Sequence, residues 1–105
     1  MKNMFNMLKQ AQEMKSKFSE MKKNIENSFF FGESHNGLVK VKVNGKGLMI
    51  DISISYEQIE DISQIENLIK VAYGEARNKA EEFCTSEMDK ATGGMPLPFD
   101  MKSFL

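Results

Sequence analysis

The chain has 105 residues, a formal net charge of −1 and a single cysteine, Cys84. This length indicates one domain. The lone cysteine excludes an internal disulfide framework and fits a reducing cytoplasm. No apolar run approaches the roughly 20 residues that a membrane-spanning helix needs, so no membrane partner is expected.

The charge is divided unevenly along the chain. Residues 1–46 hold nine lysines and four acids, a net charge of +5, whereas residues 47–105 hold five cations and eleven acids, a net charge of −6. Such a division indicates either that the two halves pair with each other or that the basic half binds a polyanion.

The first predicted element is a helix from about Asn3 to Asn27. When this stretch is numbered in sevens from Met4, apolar residues fill every position of a helix-packing seam. These seven residues, called the seam below, are Met4, Met7, Ala11, Met14, Phe18, Met21 and Ile25. The pattern predicts a helix that packs lengthwise along another helix. A helix of this length, almost 40 Å at about 1.5 Å per residue, is expected to project beyond a compact core.

The flanks of the seam are basic. They carry Lys15, Lys17 and Lys22 and no acid, which disfavours packing against an identical helix and favours an acidic partner helix. Lys9 and Lys23 lie opposite the seam, where helix packing does not explain them.

Three strands are predicted next. Ser28–Phe31 reads as a first strand ended by Gly32, and a loop follows to Gly37. Leu38–Val43 and Leu48–Ile54 alternate polar and apolar residues around an Asn44-Gly45 turn. This pattern predicts an antiparallel hairpin with one buried and one wetter face. Ile50, Ile52 and Ile54 are expected on one face of its second strand.

A second long helix is predicted to begin at a capping box, Ser63 to Glu66, and to end at Gly93-Gly94. Its apolar stripe is Ile65, Leu68, Ile69, Ala72, Ala76, Ala80 and Phe83. The remaining surface is rich in acids, so this helix is the expected partner for the basic first helix. We therefore divide the chain into a single α+β domain, residues 1–94, and an apolar proline-containing tail, residues 95–105, which docks on the body or a partner subunit or is mobile.

Candidate catalytic residues are few. His35 is the only histidine and sits in a turn-forming loop, and no cysteine–histidine spacing suits zinc. Cys84 has the setting of a half-buried, inert thiol. We expect no enzyme activity, no cofactor, no metal and no small-molecule substrate.

The lysines are the candidates for a function. Lysine contacts with phosphates give affinity without sequence information, and that affinity falls steeply with salt. The alternative is that they solubilise the surface or pair with the second helix. Aromatic residues between the lysines, which single-strand binding would favour, are scarce outside Phe29 to Phe31.

Several segments together resemble the YbaB/EbfC nucleoid-associated proteins. These segments are Met7–Met14, Gly37–Gly47, Ile50–Ile52, Ile65–Ile69, Ala76–Glu82 and Gly93–Pro98. The likeness covers nearly the whole chain. The chain departs from the family pattern in the Gly32–Gly37 loop, which has fewer glycines, and at Ile54-Ser55-Tyr56, where an Asp-Pro is usual.

The resemblance implies an α-β-β-β-α fold with a small three-stranded antiparallel sheet between two long helices, assembled as a tweezer-like homodimer. It further implies a bacterial cytoplasmic protein of the nucleoid that binds double-stranded DNA, compacts it or modulates transcription, and has no enzyme activity or cofactor. The residues expected to contact DNA, mainly its phosphates, are Lys9, Lys15, Lys17, Lys22, Lys23, Lys40, Lys42, Arg77 and Lys79.

A protein-interaction module is the alternative hypothesis. The seam and the apolar tail offer surface on which a recombination or replication factor could dock.

Overall fold

Two long helices flank a three-stranded sheet in the computed structural model, which describes residues 2–93. The elements in chain order are α1 (Lys2–Glu26), β1 (Phe29–Glu33), β2 (Val39–Asn44), β3 (Met49–Ile54), a 3-10 turn (Tyr56–Gln58) and α2 (Ile62–Thr92). This order confirms the predicted α-β-β-β-α fold. The predicted tail, residues 95–105, lies outside the described residues.

The sheet is antiparallel throughout, with β2 between β1 and β3. In its register Val41 lies opposite Gly32 on one side and Ile52 on the other. Between Lys42 and Val43 the register with β3 shifts, so that Met49 rather than Ile50 is the partner of Val43. The uninterrupted alternation predicted for β3 is therefore wrong, because a bulge adds one residue to the strand and moves its side chains off a strict period of two.

The main core lies between the sheet and α2. Val39, Val41 and Val43 are fully buried against a stripe of three alanines on α2, Ala72, Ala76 and Ala80. This is the valine face and the alanine stripe that the sequence predicts. We call the side of the sheet that packs on α2 the inner face and the opposite side the outer face.

Gly32 lies where α2 crosses the sheet. It continues β1 rather than ending it, so the predicted end of the first strand is wrong. A Cβ added at Gly32 would overlap the backbone of Ala72 and Ala76. A glycine is needed here because the backbones of strand and helix are too close for a side chain.

The start of α2 also differs from the expected capping box. The N-cap is Asp61, whose side chain accepts a hydrogen bond from the Ser63 N–H at 3.0 Å. This hydrogen bond lowers the pKa of the Asp61 carboxyl. Ser63 is already inside the helix, so it does not cap it. At the other end Gly93 adopts the left-handed conformation, as predicted for a helix stop.

Only the C-terminal half of α1 packs on α2. Met21 and Ile25 are buried with Cys84, and Phe18 is partly buried beside them. Met4 and Met7, by contrast, are 70% and 67% exposed. The expected packing of the seam on another helix is thus found only in the C-terminal half of α1. The N-terminal half projects from the core, as the length of the helix predicts, because within residues 2–93 no element runs beside it. The molecule measures 72 × 21 × 17 Å as a result.

The ion pairs identified among the described residues of α2 differ from the pairing with α1 that the sequence suggested. The ion pairs found on α2 run along the helix itself: Arg77 with Glu81, Lys79 with Glu75 and Lys90 with Glu87. These are the short-range pairs that neighbouring turns of one helix bring together. Most lysines of α1 therefore remain on its surface.

The second hairpin strand is less buried than predicted. α2 packs on β1 and β2, and β3 lies at the edge of the sheet beyond it. Ile50 and Ile52 are 46% and 37% exposed, and Met49 is also exposed. The expected buried face of β3 is thus wrong for a single chain.

The close approach at Gly32 gives a test of the fold. Gly32→Ala should lower the free energy of unfolding by about 1–3 kcal/mol, because the methyl group has backbone on its far side and no room to move. Urea unfolding followed by circular dichroism measures this change. Gly74→Ala is the matched control: a Cβ there meets nothing within 4 Å, so this variant should gain up to about 1 kcal/mol. Equal effects of the two variants would contradict the tight helix–sheet contact.

Candidate nucleic-acid interface

All five of the predicted DNA contacts on α1 are exposed. They are Lys9, Lys15, Lys17, Lys22 and Lys23. Lys15 and Lys23 line one shallow surface together with the hydroxyls of Ser16 and Ser19 and the carboxylate of Glu20. Because the rise is about 1.5 Å per residue, the distance from Lys9 to Lys23 along the helix axis is roughly 21 Å. The amines and hydroxyls of this part of α1 are groups that donate to phosphate oxygens, and they outnumber the carboxylate.

Lys17 has a different position. It lines the crevice between α1 and α2 together with Glu20, Glu87 and Lys90. Lys90 Nζ lies 3.6 Å from Glu87 Oε1. Since carboxylates share this crevice with the two amines, its local charge is balanced, and Lys17 is the least favourable of the α1 lysines for a phosphate contact.

Lys40 and Lys42 lie on β2 with their side chains toward the outer face of the sheet. Lys40 is exposed, and Lys42 reaches across β1 so that its Nζ lies 4.3 Å from the ring centre of Phe29 and 5.9 Å from that of Phe31. These distances are those of cation–π contacts. The structure therefore combines a basic and an aromatic group that sequence patterning treats separately.

Arg77 and Lys79 lie on α2 and already have partners. Arg77 Nε is 3.4 Å from Glu81 Oε1. Lys79 Nζ donates to the Phe31 carbonyl oxygen at 2.8 Å and lies 3.4 Å from Glu75 Oε1. The nine predicted residues thus do not form one patch. They occupy the surface of α1, the crevice between the helices, the outer face of the sheet and the flank of α2.

The β2–β3 turn joins the sheet to the end of α1. The Asn44 side chain accepts hydrogen bonds from the Lys46 and Leu48 N–H groups, and the Gly45 N–H donates to the Ile25 carbonyl at 2.9 Å. Lys46 Nζ lies 3.0 Å from Glu26 Oε1. Sequence reasoning missed this pairing, because the two residues are 20 positions apart and meet only in the fold.

A cavity of about 540 Å³ lies between this turn and α2. Its walls are the turn residues 45–48 together with Arg77, Ala80, Glu81 and Cys84. Cys84 is buried and His35 lies exposed in its loop. Among the described residues no group of three histidine, cysteine or acidic side chains is placed to hold a metal. Neither of the described helices is long and apolar enough to cross a bilayer.

A solved structure shares this fold. An uncharacterized protein from Helicobacter pylori superposes with a TM-score of 0.75 over 83% of this chain and 94% of its own, at 22% sequence identity. That likeness defines the class of fold, a helix, three strands and a long helix.

The family follows from sequence comparison. The profile of the YbaB/EbfC DNA-binding family matches residues 1–95. A nucleoid-associated protein of Beijerinckia indica is 39% identical over 101 residues, which cover 94% of this chain and all of that protein. A nucleoid-associated protein of Chlorobaculum tepidum is 34% identical over 99% of this chain and 95% of its own. The chain belongs to the YbaB/EbfC DNA-binding family.

The Lys46–Glu26 pair provides a pH-dependent test of this region. The hydrogen bond from Lys46 holds the pKa of Glu26 below its ordinary value. Its stabilising contribution is therefore present above the ordinary pKa of a glutamate and is lost as the pH falls through the lowered value. In Lys46→Met, the pKa of Glu26 should rise toward the ordinary value, as measured by carboxyl chemical shifts in an NMR titration. Lys70→Met is the control, and an unchanged pKa in Lys46→Met would exclude the pair.

Proposed function

We propose that this protein binds double-stranded DNA as a homodimer, mainly through lysine–phosphate contacts, and acts as a nucleoid-associated protein in the bacterial cytoplasm. The observation that carries the proposal is its membership of a DNA-binding family together with an α1 helix that presents exposed lysines along its length. Lys9, Lys15, Lys22 and Lys23 are the main contacts, and Lys17, Lys40, Lys42, Arg77 and Lys79 contribute at the edges.

Electrostatics supports a contact with the DNA backbone. The duplex carries about one negative charge per 1.7 Å of its axis, so a basic helix roughly 21 Å long meets several phosphates wherever it lies on the duplex. Because the chain as a whole is slightly acidic, attraction depends on this local surface and not on net charge. Affinity should consequently be insensitive to sequence and strongly sensitive to salt.

The exposed edge of the sheet supports the dimer. β3 is an edge strand whose Met49, Ile50 and Ile52 remain exposed in the single chain. Unpaired edges with apolar side chains associate readily, and a second copy would cover them. Such a dimer would carry two projecting α1 helices and twice the number of lysines. With two basic arms it could hold two stretches of duplex or a longer length of one, which accounts for DNA compaction and for effects on transcription.

One observation favours the alternative function, a protein-interaction module. The N-terminal half of α1 leaves Met4, Phe5, Met7 and Leu8 exposed, and an apolar surface of this kind suits a helical partner. DNA binding that proves independent of salt, or undetectable, would favour this function over the first.

A salt titration tests the phosphate contacts. The combined variant Lys15→Gln, Lys22→Gln and Lys23→Gln should bind a random duplex of roughly 20 base pairs at least about tenfold more weakly. The slope of log affinity against log salt should fall by about 1 for each lysine that no longer meets a phosphate. Fluorescence anisotropy gives both values. Lys70→Gln, an exposed lysine at the other end of α2, should change neither, and a triple variant that keeps the full slope would contradict the assignment.

The molecular mass of the protein in solution tests whether it forms a dimer. Light scattering at micromolar concentration should show twice the mass of one chain for the natural protein, and Ile52→Asp should reduce it to one chain because a carboxylate cannot be buried unpaired at the β3 edge. Leu8→Asp, which changes a more exposed apolar residue on the projecting part of α1, should remain dimeric. The interface would be assigned to α1 instead if the two variants behaved in the opposite way.

A further inference from the structure

Two phenylalanine rings lie exposed on the outer face of the sheet beside lysines. We propose that this surface, formed by Phe29, Phe31 and Lys42 with Lys79 at the adjacent edge of β1, binds the unpaired bases and phosphates of a single-stranded nucleic acid. The site is separate from the lysines of α1 and shares only Lys42 and Lys79 with the duplex surface proposed above. In this proposal Lys42 and Lys79 contact the phosphates of a strand whose bases are unpaired and therefore accessible.

The aromatic residues of β1 lie on both faces of the sheet. Phe30 packs in the core with its ring centre 5.2 Å from that of Phe83. Its neighbours point the other way, and Phe29 and Phe31 are 46% and 60% exposed. The core therefore explains the middle ring and leaves the two outer rings without a packing role in the described chain.

The spacing of the two rings suits a single strand. Residues two apart on a β-strand share a face and are separated by roughly 6.8 Å. The unstacked bases of a single strand can be splayed apart, so each ring can take a base at this spacing. Aromatic side chains set in this way on a sheet are a platform on which bases stack, irrespective of their sequence.

Lys42 lies within reach of both rings. Its Nζ is 4.3 Å from the Phe29 ring centre and 5.9 Å from that of Phe31, so the face of Phe31 is the more open of the two. Lys79 comes from α2, on the inner face, and its Nζ lies at the edge of β1, 2.8 Å from the Phe31 carbonyl oxygen. A base that stacks on Phe29 would displace the Lys42 ammonium, whose flexible side chain can then reach a phosphate.

The position of the rings favours a nucleic acid over a second copy of the chain on this face. β1 is an edge strand of the sheet, so a ligand can approach the rings from the side that has no neighbouring strand. The register sets Lys42 beside Asp51 and Lys40 beside Ser53 and Glu33. A packed subunit would have to bury these charges, whereas an extended strand can lie along β1 with its phosphates at Lys42 and Lys79.

Binding of thymidylate and uridylate oligomers of about 12 nucleotides to the full chain tests the site, and the two oligomers distinguish DNA from RNA. The double variant Phe29→Leu and Phe31→Leu keeps apolar bulk and removes the rings. It should bind at least one oligomer about tenfold more weakly. It should keep the natural protein's affinity for duplex DNA and its mass by light scattering. Unchanged affinity for both oligomers would overturn the proposal.

A second variant tests stacking directly. The chain contains no tryptophan, so Phe31→Trp introduces a single indole fluorophore. Its emission should be quenched on addition of the oligomer, while that of Tyr56→Trp, exposed in the 3-10 turn, should not. Equal quenching at both positions would overturn the assignment.

The mass of the double variant Phe29→Leu and Phe31→Leu separates the site from a subunit contact. If this variant were monomeric while the natural protein is dimeric, the proposal would be overturned and the rings would be assigned to the contact between subunits. A failure of duplex binding alone would leave these results unaffected.

Discussion

The close contact between α2 and the sheet is the constraint on which the rest of the structure depends. It requires small residues on both sides: Gly32 on β1, and Ala72 and Ala76 on the helix. Because α2 is held on β1 and β2, β3 is left at the edge, and the helix continues past the sheet to meet α1. The exposed edge proposed as the subunit contact, the anchored half of α1 and the orientation of the basic surface all follow from this one crossing.

The sequence is sufficient to predict the order of elements, the buried faces of β2 and α2 and the end of α2, because each depends on local periodicity or turn chemistry. Asp61 and Gly32 show where local reasoning fails. Asp61 and Ser63 are both residue types that cap helices, and they lie within three positions of each other. In the structure Asp61 is the N-cap. A glycine that reads as a strand end is instead required by a helix 40 positions later in the chain. The bulge in β3 likewise depends on its pairing with β2, which no pattern within β3 records.

The candidate site can be predicted from the sequence only as a set of residue types. Sequence reasoning identifies the lysines, because their charge and their positions around α1 can be read directly. It cannot divide them between surfaces, since that depends on tertiary neighbours. Lys17 beside Glu87, Lys46 on Glu26 and Lys42 over two aromatic rings are outcomes of folding. Because of these neighbours, lysines that carry the same charge differ in how readily they can contact a phosphate.

The anchoring of α1 at one end gives it the mechanics of a lever. Hydrogen bonding at Ile25 and packing of Met21 fix its base, and residues 2–17 extend for about 24 Å beyond. A rotation of roughly 10° at that base would displace the tip by about 4 Å, with little disturbance of the core. In the proposed dimer, two such helices could adjust their separation to the width of the molecule that lies between them, so that the fold need not fix this distance in advance.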